Sequence, residues 1–554
     1  MRRRNLNPVL ILSIFLLVSS AMGETTNLKV VQAEVIGRGG SMDYDDRIVK
    51  GDLDLSGMTL GSVHFNNTIF LGTVNFQGTN FAGDAWFSKA NFTRDVSFRK
   101  AKFSSNANFR GAKFSSNADF LGVNFNGDAD FLGVNFNGNA KFGGANFGRS
   151  ADFRGANFIG KAQFDTANFG GEAKFDNSNF TKNACFSWAV FSNNAYFQKA
   201  NFSGKDGVDF SGVKFGLDAD FKETNFSGNV TYSYALFSGG DFEDATFSGD
   251  KVDFGGVSFI NAKFKRANFS ADCSFKDAQF NETAEFSRSK FGKGADFVEA
   301  HFIKDADFYK ADFDGYTTFE KAKFDEYALF EDSNFSNTSS LCLNRTRYYK
   351  LRLRWNSVEA DDNSSAFLKH SIFRNKDKSV LIFDEEAYLT LYKNYRDLGW
   401  FEDANECYYE YMKQRKCEDV FSHWLNPVLK SSYGYGTKPE NSIIWSIIII
   451  LAFSTFWYSL GITNPIFEVE STEDQINLSS LRRKVHKFLK PFIFSTKIFL
   501  SGTKLFIDPP KYRKPAGWRG SLIKTVFILE RTLGMILFFL LIFAISASLL
   551  IKII

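Results

Sequence analysis

The sequence predicts an all-β solenoid followed by a helical region with two membrane spans, and three observations carry that prediction. The first is a beat. From Phe65 to Phe335 an aromatic residue returns after five residues, then six, then five, and Phe109, Phe114, Phe120, Phe125, Phe131, Phe136, Phe142, Phe147, Phe153 and Phe158 keep it without a break. A helix repeats about every 3.6 residues and a strand about every 2, so neither puts all these rings on one buried face. A long internal repeat is the mark of a solenoid. The second observation is proline. All eight (Pro8, Pro427, Pro439, Pro465, Pro491, Pro509, Pro510 and Pro515) lie outside the beat, where none deletes a hydrogen bond between coils. The third is a pair of uncharged apolar stretches, Ile443 to Ile462 and Thr532 to Ile551, each long enough to cross a bilayer.

In chain order, residues 1–23 read as a secretory signal peptide: Arg2, Arg3 and Arg4, the apolar run Val9 to Val18, then small residues ending at Gly23. Cleavage after Gly23 or Ala33 fits this pattern. An uncleaved anchor is the alternative, and both send the following residues across a membrane. Residues 24–47 are a lead-in, and the solenoid is expected over 48–338. Its first coil uses Leu55 and Leu60 where later coils use Phe. Two positions before most ladder residues stands a small residue, as Ala107 before Phe109 and Ala129 before Phe131, with a polar residue between. Each unit thus turns two side chains in and three out.

The units Ala156-Asn157-Phe158-Ile159-Gly160 and Ala200-Asn201-Phe202-Ser203-Gly204 resemble the A-(D/N)-(L/F)-x-x motif of pentapeptide-repeat proteins. The resemblance covers about half of the chain and implies a right-handed quadrilateral β-helix with one unit per side. This chain departs from the plain motif by a sixth residue in alternate units, so two opposite sides are expected to carry a longer corner. A coil then takes about 22 residues, giving roughly twelve to thirteen coils at about 4.8 Å each. Rings on successive coils would stack within roughly 4.5–7 Å. The beat falters between Phe202 and Phe210 and between Phe247 and Phe254, where Gly204 to Gly207 and Gly249 to Lys251 should bulge outward.

Past Phe335 the repeat stops, and residues 339–438 read as a helical cap or linker. Asp384 to Leu398 has helical spacing, Gly399 can end that helix, and Glu402 to Lys416 starts another. The pair resembles one tetratricopeptide unit. One unit forms no peptide groove, so capping of the solenoid end is the better reading. Spans follow at 443–462 and 528–551. The intervening loop 463–527 holds about twelve Lys and Arg, which argues for a cytoplasmic loop. The signal peptide independently requires the same topology. Within the loop, Arg483, Lys490, Lys497, Lys504 and Lys511 recur every seven residues around an apolar-rich segment, 491–507. Such a basic amphipathic strip suits an anionic membrane surface. Pro491 interrupts strict helical continuity. The arrangement of span, apolar segment and span resembles the pore module appended to some pentapeptide-repeat proteins, which is similar to two-span potassium channels. The T-x-G-Y-G filter is missing, and Ser501-Gly502-Thr503 stands nearest its place.

Composition narrows the function. A net charge of +4 favours neither a nucleic-acid binder nor an acidic DNA mimic. The cysteines Cys185, Cys273, Cys342, Cys407 and Cys417 and the five histidines are scattered, with no metal-ligand spacing, so no metal or cofactor is expected. A carbohydrate-active β-helix needs two carboxylates at a set separation in a cleft. Asp119, Asp130, Asp152 and Asp220 instead precede inward Phe residues as ordinary surface groups. Sequons at Asn91, Asn179, Asn201, Asn225, Asn268 and Asn334 mostly arise from the motif itself. The expected protein is therefore a non-enzymatic interaction or structural scaffold. It would be anchored in the cell membrane, with the lipid bilayer and a protein as partners and a homo-oligomer allowed. The alternative is a subunit of a channel-like protein that lacks a potassium filter.

Overall fold

The computed structural model describes residues 25–27, 41–336, 338–358, 380–415, 420–460, 480–503, 507–510 and 517–553, with side chains at all of these except 25–27, 420–424, 480–488 and 547–553. The segment read as a signal peptide lies outside the described residues. The chain divides into two compact units. One runs to Asp361 and takes in Lys378–Ile382, and the other holds 362–377 and Phe383–Ile554.

The first unit is a β-solenoid. One turn consists of four short strands, Ala107–Asn108, Lys113–Phe114, Ala118–Asp119 and Asn124–Phe125. Each pairs in parallel with its equivalent one turn later: Ala107 faces Ala129, Phe114 faces Phe136, Ala118 faces Ala140, and Phe125 faces Phe147. The face running from Leu53–Asp54 to Ser340–Cys342 contains 14 strands, so the solenoid has about 14 turns rather than twelve to thirteen. The difference lies at the ends. Met42, Val49, Leu341 and Leu351 are buried there, and a beat counted mainly on phenylalanine does not register them.

Two kinds of corner explain the alternating five and six. After Phe109 the chain turns tightly: the Ala112 N–H donates to the Phe109 carbonyl at 2.9 Å, and Gly111 sits at φ 66°. After Phe114 the extra residue makes a wider bend before Ala118. The left-handed position of the tight turn is filled by Lys100, Trp188 or Glu223 as well as by glycine. That conformation costs an L residue roughly 1–2 kcal/mol, and burial of one ring, worth about 1.5–3 kcal/mol, offsets it.

The rings form four columns. Phe109, Phe131 and Phe153 stack at 4.9 and 4.7 Å with planes 4° apart. Phe120 and Phe142 stack at 4.7 Å, Phe114, Phe136 and Phe158 at 4.9 and 5.0 Å, and Phe125 and Phe147 at 5.0 Å. The first two columns also meet edge to face, as Phe109 on Phe120 at 5.6 Å and 89°. Both arrangements suit the ring quadrupole. All ten of these rings are buried. The faltering beats leave the columns whole. Lys205 and Asp206 are exposed, and Ala184 still pairs with Val208 although they are 24 residues apart instead of 22. Phe202 still stacks on Phe226 at 5.1 Å.

At its last turn the solenoid covers part of its own edge. Leu341 bridges Leu381, with the Leu341 N–H donating to the Val380 carbonyl at 2.8 Å. Helix α1 (Trp355–Val358) adds buried Trp355 and Val358. An open strand edge invites further pairing, and this segment occupies it.

The second unit is helical. α2 (Glu385–Asp397) starts on Asp384, whose carboxylate accepts from the Ala387 N–H at 2.8 Å, and Gly399 at φ 72° follows its end. α3 (Phe401–Gln414) returns, and Tyr388, Leu391, Tyr395, Ala404 and Cys407 are buried. α4 (Val420–Tyr433), α5 (Pro439–Ser459), α6 (Ser480–Leu500) and α7 (Trp518–Ile553) complete the unit. α5 and residues 518–546 of α7 are each long and apolar enough to cross a membrane. α7 starts ten residues before the expected 528, directly after Gly517 at φ 79°.

The segment expected to form a surface strip in a loop is in large part helix. α6 runs through Pro491. The ring removes one intrahelical hydrogen bond, and the next turns offset that loss by packing: Phe494 and Ile498 bury against Trp457, Ile523 and Phe527, and Phe499 against Ile450 and Leu537. Its apolar face is thus used on α5 and α7.

Candidate functional site

Because Ala and Phe fill the inward positions, a site on the solenoid must be built from outward residues and corners. One outward column is asparagine. The Asn157 Nδ2 donates to Asn135 Oδ1 at 3.0 Å, Asn201 to Asn179 at 3.0 Å, and Asn225 to Asn201 at 2.9 Å. In sequons 201 and 225 the amide nitrogen that a glycan would use donates to the asparagine of the preceding turn. The aspartates have local duties too. Asp119, Asp130, Asp152 and Asp220 each accept from the backbone N–H two residues on, at 2.9–3.0 Å. This is a turn-fixing role. Burial pushes the half-buried Asp176 and Asp220 carboxyls above their ordinary range. Among the described residues no three His, Cys, Asp or Glu side chains gather to hold a metal.

The outward surface turns apolar over a few neighbouring turns. Trp188 is 64% exposed and Tyr234 73%, with Leu217, Leu236 and Ile260 also exposed. The two aromatics occupy the same corner two turns apart, and glycine stands at that corner on each following turn. A Cβ on Gly212 would come within 2.7 Å of the Trp188 ring, and one on Gly256 within 2.7 Å of the Tyr234 ring. The rings therefore lie over glycine.

In the helical unit α6 enters between α5 and α7 and stops partway. Phe494 packs at the level of Trp457, near the end of α5, and Phe499 at the level of Ile450, near its middle. The turn Ser501–Thr503 then lies on α7, where the Arg531 Nε donates to the Ser501 carbonyl at 3.2 Å. The approach is close. A Cβ on Gly534 would collide with the Phe499 carbonyl, and one on Gly502 would meet the Arg531 carbonyl at 2.5 Å. Of the basic series, Lys490 is exposed and Lys497 half-buried on α6. Arg483 lies on α6 with its side chain outside the described residues, and Lys504 and Lys511 lie outside them altogether.

Three side chains meet between these helices, and the sequence reading did not single out Ser495 or Glu530. Trp457 of α5, Ser495 of α6 and Glu530 of α7 are all buried. The Trp457 Nε1–H donates to Glu530 Oε2 at 2.7 Å. The Ser495 hydroxyl bonds to the other carboxyl oxygen and lies 2.9 Å from the Ile450 carbonyl. A signal for Glu530 was present: it is the one acidic residue in α7, and a carboxyl in such a helix is costly enough to mark a site. The expected span 528–551 contains it, but only the uncharged stretch from Thr532 was weighed.

The family model described as pentapeptide repeats (9 copies) matches residues 55–102, 87–134, 131–178, 232–290, 254–301, 264–312 and 275–323. No curated protein and no solved structure matches the chain. Every matched segment falls on the rungs just described, with their four strands per turn and their Phe columns. Residues 42–352 form a β-solenoid of about 14 turns, and the matched segments within it are pentapeptide repeats.

Proposed function

We propose that this protein is a membrane-anchored solenoid that acts by binding rather than by catalysis, with the solenoid on the extracytoplasmic side of the cell membrane. The observation that carries the reading is the union in one chain of a long β-solenoid with two helices apolar enough to span a bilayer. The basic residues between the spans, and the basic and apolar N-terminus, support the orientation. The exposed patch around Trp188 and Tyr234 supports a protein partner, since isolated apolar residues are common on surfaces but clusters mark contact sites. External protease on intact cells tests this: it should release solenoid fragments that otherwise appear only with the membrane fraction. Complete protection until the cells are permeabilised would overturn the orientation.

A second reading is a channel-like subunit. It is favoured by the way α6 enters between α5 and α7 and ends near the middle of α5, since a segment that stops partway can bring backbone to mid-membrane, where some channels build a filter from carbonyls. Purified protein in planar bilayers should then carry current. Silence at every voltage and in every salt tried removes this reading and leaves the anchor.

A further inference from the structure

We propose that Glu530 is a proton-binding site: its carboxyl group carries a proton, and in that form it joins α5, α6 and α7. The argument is a count of protons against acceptors. The Ser495 hydroxyl has one proton, yet its oxygen lies in hydrogen-bond contact with two others, the Ile450 carbonyl and Glu530 Oε1. Were Glu530 a carboxylate, both would be acceptors, and one oxygen pair would have no hydrogen between them. With the carboxyl protonated, every group is matched. Glu530 donates to Ser495 Oγ, Ser495 donates to the Ile450 carbonyl, and Trp457 Nε1–H donates to Glu530 Oε2.

The surroundings agree. Glu530, Ser495 and Trp457 are each inaccessible to solvent, and the shell is apolar: Phe494, Ile498, Ile523 and Phe527. Of the packed helices, α5 has no charged residue after Glu440. α6 offers Lys490 and Lys497, and α7 offers Lys524 and Arg531. Among the described residues none of these pairs with Glu530, and Arg531 is turned to the Ser501 carbonyl. An unpaired carboxylate in such a shell is far costlier than a hydrogen-bonded acid. The site also has a structural consequence. Each of the three helices gives one side chain, so losing the proton loosens α6 from its two neighbours. The inference requires neither the proposed orientation nor conduction.

The test uses the full chain in detergent, with infrared spectroscopy of the carboxyl region. At neutral pH the wild-type protein should show the C=O stretch of a protonated carboxyl, and Glu530→Gln should lose it. The amide can still donate to Ser495 and accept from Trp457, so the melting transition of the helical unit should be unshifted in Glu530→Gln. Raising the pH should lower that transition in the wild type and leave it in place in Glu530→Gln. Ser495→Ala should shift the carbonyl band, because its hydrogen-bond acceptor is gone. No difference band between wild type and Glu530→Gln, or equal pH dependence in the two, would overturn the proposal. An unmoved band in Ser495→Ala would overturn the role given to Ser495.

Discussion

In the solenoid one rung is repeated about fourteen times, and its inside is almost wholly Ala and Phe. In the helical unit a buried polar cluster at Trp457, Ser495 and Glu530 ties three helices. The first unit spreads its stability over equivalent contacts, each ring resting on a neighbour above and below. Repeat architectures behave this way because each rung interacts mainly with the next. The second concentrates its specificity, because lone polar groups among apolar side chains allow few packings. A repetitive core should therefore suffer most from polarity anywhere, and an aperiodic one from change at particular points.

The harshest way to break that comparison is Phe153→Asp. It places a carboxylate between Phe131 and Phe175, which lie 4.7 and 4.9 Å from the native ring. A loss on the order of 5 kcal/mol is expected, read as a lower denaturation midpoint and as hydrogen-exchange opening of the adjoining rungs. Exchange spread evenly along the solenoid would contradict the nearest-neighbour picture. Next comes Gly534→Ala in the helical unit. Its methyl would press on the Phe499 backbone carbonyl, which cannot swing aside as a side chain could. A cost of about 1–3 kcal/mol is expected, measured by the thermal transition in detergent, and an unaltered transition would mean that α6 and α7 are not in close contact.

Tyr232→Phe should have the opposite sign. Tyr232 occupies a Phe position, stacked on Phe210 and Phe254 at 4.8 and 4.9 Å, and its hydroxyl is buried without a hydrogen-bond partner. Removing that oxygen should raise stability by about 1 kcal/mol. A lower midpoint would show that the rung does accommodate polarity. The smallest effect is on the surface. Lys323 first, and then His301, hold the Asp325 carboxyl below its ordinary range. A depressed carboxylate adds stability above its unfolded pKa and loses it as pH falls through the folded value. This exposed cluster should thus contribute a few tenths, about 0.3 kcal/mol, at neutral pH. Asp325→Asn should flatten the acid side of the stability profile slightly, and an unchanged profile would assign the slope to other carboxylates.

How much could be read beforehand differs between the units for the same reason. The beat from Phe109 to Phe158 marks the inward rings, and the resemblance to pentapeptide repeats, with four units to a turn, makes residues 22 apart neighbours in a column. The ends were harder: Met42, Leu341 and Leu351 continue the core without the aromatic signal. The helices of the α2–α3 hairpin were marked by Asp384 and Gly399, which act on their own neighbours. In α6 the seven-residue spacing of Lys490 and Lys497 suggested a strip on a membrane surface. Phe492 and Phe494 between them pack on α5 and α7 while Ile493 is exposed, and spacing along one helix does not say which surface will cover its apolar face.

The sequence by itself determined the solenoid, its corners, its columns and the presence of two apolar helices. Each depends on spacing or composition within a short window, and hydrophobic burial then has one way to satisfy it. Only the tertiary structure decided that Trp457 and Ser495 would meet Glu530 from 73 and 35 residues away, and that glycines at 502 and 534 would let α6 press against α7. No period links those residues. They are brought together by the packing of whole helices, where the sum of many weak contacts sets which side chains share a buried space.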